Sequence, residues 1–158
     1  MLDSRRTWAQ KYELDLTAGR VERFDFEQRD IKEWKTVDGR WSVEEARDAP
    51  SGKRVLVQRA VNNTYNVIVA PGGPYNDLDV SVRFKPISGN VDASGGIVFR
   101  FSPGHYYIVR ANVLENNVVL YKVEKGVRLS IAPKGLPSRA YGVKHTVPTG
   151  RWRRCTTG

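Results

Sequence analysis

A chain of 158 residues with 26 Lys and Arg against 17 Asp and Glu has a formal net charge of +9, and it is long enough to bury one core without metal or disulfide staples. Its single cysteine, Cys155, excludes an internal disulfide framework, and no apolar run approaches the roughly 18 residues a membrane-spanning helix needs. The basic excess favours anionic partners, but part of it sits at the ends, in Arg5, Arg6, Lys11, Arg151, Arg153 and Arg154. A protein with charged tails is the simpler alternative, and nucleic acid is the less favoured partner.

Residues 1–19 form an appended segment, helical if Trp8, Tyr12 and Leu16 share a face. The first stretch, MLDSRRTWAQKYELDL, carries charge where a signal peptide has its apolar centre. As it begins here the chain reads as not exported, whereas a start further upstream would make it extracytoplasmic. From Val21 to Glu27 the alternation places Phe24 and Phe26 on one side of an opening strand. Trp34 sits near a turn, and Asp38-Gly39 is a second turn, since glycine tolerates positive φ. Strands follow at RWSVEEA, RVLVQRA and NNTYNVIVA, the last stopped by Ala70-Pro71-Gly72-Gly73-Pro74.

The centre of the sequence is Asp77 to Glu124. Four runs there, LDVSVRF, GGIVFRF, HYYIVRAN and NVVLYKVE, are rich in β-branched and aromatic residues and separated by turn formers, which predicts a four-stranded antiparallel meander. A further short strand is expected at Val127–Ile131, then a long loop. Regular strand spacing without a convincing helix after residue 20 predicts an all-β sandwich or barrel.

Alternation sorts the meander into faces. Leu78, Val80, Val82 and Phe84 would share the inward face with Gly95, Ile97, Phe99 and Phe101, then Tyr107, Val109 and Ala111, then Val119, Tyr121 and Val123. With hairpins centred on Pro103-Gly104 and on Glu115, Arg100 faces Tyr106, Tyr106 faces Glu124, and Gly96 falls between Arg83 and Arg110. That gap, flanked by two planar donor forks, would suit a carboxylate or vicinal sugar hydroxyls. The alternative is that Arg83, Arg100 and Arg110 pair with Asp79, Glu115 and Glu124 on a solvated face. Val98, Ile108, Val118 and Leu120 make that outer face too apolar for open water, so something should cover part of it.

DVSVRFKPISGNVDASGGIVFRF, YYIVRANVLENNVVLYKVEKGVR and APKG together resemble the bacterial family of concanavalin A-like sandwich domains known as family-16-glycosidase-like or 3-keto-disaccharide hydrolase-type. The resemblance spans Arg20 to Trp152. It implies an antiparallel jelly roll whose concave side handles carbohydrate, with residues 20–152 as the domain and 153–158 as an irregular tail. In that family the counterpart of Gly150-Arg151-Trp152 is followed by further strands, so the sandwich is expected to be incomplete at its C-terminus. Exposed strand edges would then favour self-association.

The chemistry points more to binding than to catalysis. The Glu-x-Asp-x-x-Glu strand motif of laminarinase-type enzymes is missing, and Glu44, Glu45 and Asp48 are wrongly spaced for a carboxylate pair about 5 Å apart. Asp92 and Glu115 are loop residues suited to a turn or to polar ligand contact. His105 and His145 lack metal-ligand spacing, no phosphate loop occurs, and neither cofactor nor metal is expected. Tyr65, Tyr75, Tyr106 and Trp152 have no evident place in the core. Rings of this kind either plug sheet edges or stack on sugars. The expected activity is therefore a lectin-like carbohydrate module using Arg83, Gly96, Arg100, Tyr106, Arg110 and Tyr75. A glycoside hydrolase-like enzyme and a basic protein gripping nucleic acid through its termini are the alternatives.

Overall fold

The computed structural model describes residues 21–28, 30–75 and 78–131, and the backbone of two further strands at 136–137 and 153–157. Among these residues every regular element is a strand and every pairing is antiparallel. In chain order the strands are β1 (Lys35–Thr36), β2 (Trp41–Glu45), β3 (Arg54–Gln58), β4 (Ile68–Val69), β5 (Val80–Phe84) and β6 (Ser94–Ser102). They continue with β7 (His105–Asn112), β8 (Asn117–Glu124), β9 (Val127–Ser130), β10 (Leu136–Pro137) and β11 (Arg153–Thr157). No helix among the described residues is long and apolar enough to cross a membrane. The expected helix at 1–19, His145 and Gly150-Arg151-Trp152 lie outside the described residues.

The central sheet runs β6, β7, β8, with β9 and β10 sharing the far edge of β8. The four-stranded meander is thus corrected to three strands plus β9. β5 pairs with β11 instead, Phe84 opposite Arg153 through Val80 opposite Thr157. The expected irregular tail is therefore a strand over 153–157. Lys85 to Ala93 is too long and too rich in Pro, Gly and Ser to act as a tight hairpin turn, so it does not fix a β5–β6 register. Gly95 and Gly96 also offer β5 no side chains for cross-strand pairs. The Phe84 ring instead fills the place of the missing Gly95 side chain, where an added Cβ would come within 2.3 Å of it.

The β6–β7 register is as the sequence predicts, with Gly96 opposite Arg110 and Phe99 opposite Tyr107. It shifts at Arg100 and Phe101, which together oppose Tyr106 in a β-bulge, with Arg100 at φ 50°. The β7–β8 register differs from expectation by one residue: Tyr106 faces Val123, and His105 faces Glu124. That slip turns β8 over. One face now carries Ile97, Val109, Ala111, Val118 and Leu120, and the other carries Val98, Ile108, Arg110, Asn112, Val119, Tyr121 and Val123.

Both faces are covered. On the first, Ala111 and Val118 are buried, with Phe84 and Val109 packed against them. On the second, Ile108, Val119 and Val123 are buried, Tyr65 meets Tyr121 at 6.0 Å between ring centres, and the Lys35 ammonium lies 5.7 Å over Phe101. The cover that the apolar outer face demanded comes from the chain's own first half.

That half is built from ribbons, β2 with β3 and β1 with β4. The Asp38-Gly39 turn forms as expected, Gly39 at φ 94°, and the Asp38 carboxylate accepts the Gly39 amide at 2.7 Å and the Asn62 amide at 2.8 Å. The Thr64 hydroxyl also donates to Asp38. The expected strand at Val21–Glu27 does not form. Phe26 takes φ 66°, which breaks extension, yet Phe24 and Phe26 both reach Trp34, at 5.1 and 5.7 Å. Glu27 Oε1 then accepts the backbone N–H groups of Lys53 and Arg54 at 2.8 and 2.7 Å.

Candidate functional site

The Asn112–Asn117 hairpin end of the central sheet gathers the densest polar contacts of the described residues. Asn112 has no exposed surface, and its Oδ1 accepts the Leu114 and Glu115 amides at 2.9 and 3.4 Å, closing the turn from within. Its Nδ2 donates to Asp92 Oδ1 at 2.9 Å, and the Ser94 hydroxyl donates to the same oxygen. The turn thereby pins the loop leading into β6.

Arg110 sits at the middle of this group, its side chain 5% exposed. Nη2 donates to Glu115 Oε2 at 2.5 Å and to Asn117 Oδ1 at 3.2 Å, and Nη1 donates to Asp92 Oδ2 at 3.3 Å. Its buried Nε–H has no partner among the described residues. A buried guanidinium needs such carboxylates, because an unpaired charge there would be costly. Asn117 Nδ2 donates to Glu115 at 3.0 Å, and with Arg110 it holds the Glu115 carboxyl below the usual carboxylate range. Asp92 and Glu115 keep about half their side-chain surface open to solvent.

Beside the carboxylates lies an aromatic patch. The Arg110 guanidinium is 5.6 Å from the Tyr121 ring centre, and the Arg128 guanidinium is 5.1 Å from it and 5.7 Å from Tyr65. Arg128 Nη1 also donates to the Tyr65 hydroxyl at 3.4 Å. Burial pushes the Tyr65 phenol up, against the pull of Arg128.

Of the six predicted site residues, Gly96 and Arg110 are brought together as cross-strand neighbours. Arg83 is exposed on β5, opposite Arg154, so the ladder that would place it beside Gly96 does not form. Arg100 is exposed at the bulge. Tyr106 stacks on Phe101 at 5.7 Å, four residues and so about 13 Å along β7 from Arg110. Burial, then the charge of Asp38, pushes its phenol up. Tyr75 donates to Glu22 Oε2 at 3.0 Å and folds against Gly72. The paired-carboxylate alternative holds for Arg110, whose partners are Glu115 and Asp92. Glu44 and Asp48, wrongly spaced for a catalytic pair, pair across the surface with Arg59 and Lys85.

Tyr121 and Arg128 were absent from the sequence-predicted set because the one-residue slip hid them. The signal that locates them is the bracketing pair Asn112 and Asn117, which closes a four-residue loop and fixes the β8 register. A separate cleft of about 240 Å³ lies among Arg23, Phe24, Asp25, Phe26, Glu27 and Trp34. It was not expected from the sequence.

Fold and site together define an all-β, antiparallel protein with a guanidinium–carboxylate–tyrosine group at one end of its central sheet. No protein family, curated protein or solved structure matches the chain.

Proposed function

We propose that the chain is a concanavalin A-like β-sandwich module that binds carbohydrate at the Asn112–Asn117 end of its central sheet. The observation that carries this is the group Tyr65, Tyr121 and Arg128 set beside the half-exposed carboxylates Asp92 and Glu115. A sugar ring offers C–H faces to an aromatic edge and pairs of hydroxyls to carboxylate oxygens and guanidinium forks, and this group presents all three. Gly96 stands opposite Arg110 where an added Cβ would run into the Val109 carbonyl, so β6 contributes no side chain there.

Binding fits better than hydrolysis. A glycosidase needs one carboxyl kept protonated near neutral pH as the general acid, whereas Arg110 and Asn117 hold Glu115 ionised. Asp92 and Glu115 are also both committed to Arg110, which favours fixed acceptors over a mobile acid and base.

Calorimetric titration with neutral and acidic oligosaccharides is the test. Saturable binding is expected, weakened about tenfold or more by Tyr121→Ala and by Arg128→Ala, in line with losing a stacked or forked contact. Silence across a broad panel, or binding unchanged by both substitutions, would overturn the proposal.

A further inference from the structure

The longest strand among the described residues, β6 with nine residues, has an outer edge that none of the other described strands pairs with. Its hydrogen-bonding parity can be read from one contact. The Val113 N–H donates to the Ala93 carbonyl at 3.1 Å, so Ala93 is a hydrogen-bonded partner of β7, and Gly95, Ile97 and Phe99 follow at the two-residue period. The residues between them, Ser94, Gly96 and Val98, therefore turn their N–H and C=O groups away from β7. Open backbone edges of this length pair with another strand unless something blocks them. Ser94 and Gly96 are small and exposed, so neither carries a bulky side chain that would block an approaching strand.

We infer that β6 is the interface for a second copy of this chain, joined as an antiparallel strand about a two-fold axis at Gly96. The register follows from the sequence. Centring on Gly96 sets Ser94 against Val98 of the other copy and Gly96 against itself, and each pair exchanges N–H···O=C bonds in both directions. Shifting the axis to Gly95 or to Ile97 leaves one outward residue without an outward partner. The Gly96 register also places Asp92 across from Arg100 of the other copy, an attractive pair at each end of the ladder. Arg100, exposed at the bulge, would otherwise repel a neighbouring edge, and here it selects the register. On the opposite face Gly95 meets Ile97 and Ala93 meets Phe99, small against large.

Two readouts on the full chain test this together: sedimentation equilibrium across a range of protein concentrations, and amide hydrogen exchange at Ser94, Gly96 and Val98. A monomer–dimer equilibrium is expected, with these three amides gaining protection as the dimer forms. Ser94→Pro removes one outward N–H at the first residue of an edge strand, where proline is tolerated, and Arg100→Glu sets like charges against Asp92. Each should weaken the dimer about tenfold or more, with the amide protection of β7 and β8 unchanged. A monomer at every concentration overturns the inference. So does protection of the three amides that is independent of concentration, which would mean that a segment of the same chain has filled the edge. A dimer that both variants leave intact also overturns it, since it would use another surface.

Discussion

Asn112 carries more of the hairpin end than its size suggests. It has no exposed surface and satisfies two backbone amides while holding Asp92, so alanine leaves three polar groups short of partners. Asn112→Ala should destabilise the protein by about 2 kcal/mol, read as a lower urea midpoint at constant slope, whereas an unchanged midpoint would show that the turn closes without it. Glu115 adds a pH dependence of definite sign. Its folded carboxyl titrates below the ordinary 4.5 because Asn117 and Arg110 bond the ionised form. The stability it contributes is therefore present above that value and is lost as pH falls below it. Urea midpoints measured down through this range should fall less steeply for Glu115→Gln than for the unaltered protein. Parallel curves would separate Glu115 from the acid response.

Among the elements, β5 reaches the central sheet through the Phe84 ring. Phe84 lies in the space left by Gly95 and packs against Ala111 and Val118, so Phe84→Ala should cost about 2–3 kcal/mol, the lower end of the range because the ring is only partly buried. A loss well under 1 kcal/mol would mean that the sheet does not depend on β5 to cover this face. Strands β2, β3, β6, β7, β8 and β9 were legible from alternation and from their bounding Gly, Pro and Asn residues, as was the pairing of Gly96 with Arg110 from the short Pro103-Gly104 turn. β8 was not. Val118 and Leu120 lie on one face and Val119 and Val123 on the other, so a strand apolar on both sides carries no period-two mark to choose between registers. β5 escaped for a different reason, since a nine-residue connection and two glycines leave its pairing to tertiary contacts that no local pattern records. The expected geometry of the candidate site inherited both errors. Arg110 and Gly96 keep their expected pairing because they sit on the well-determined hairpin, while the place of Arg83 depended on β5, and those of Tyr121 and Arg128 on β8 and its partner strand.

For the molecule as a whole, the two-stranded ribbons β1–β4 and β2–β3 are too small to stand alone, and the central sheet needs cover on both faces. The same contacts meet both needs: Tyr65 from the first half of the chain rests on Tyr121 and so completes the aromatic patch beside Arg128. The proposed ligand surface thus exists only when both halves are docked. NMR titration of the labelled protein with oligosaccharides, following the guanidinium Nε–H signals of Arg110 and Arg128 alongside the backbone amides, tests this most directly. The account predicts saturable shifts at Arg110, Arg128, Tyr65, Tyr121 and the Asn112–Asn117 turn. Shifts confined to the cleft around Phe24 and Trp34, or none with any sugar, would contradict it.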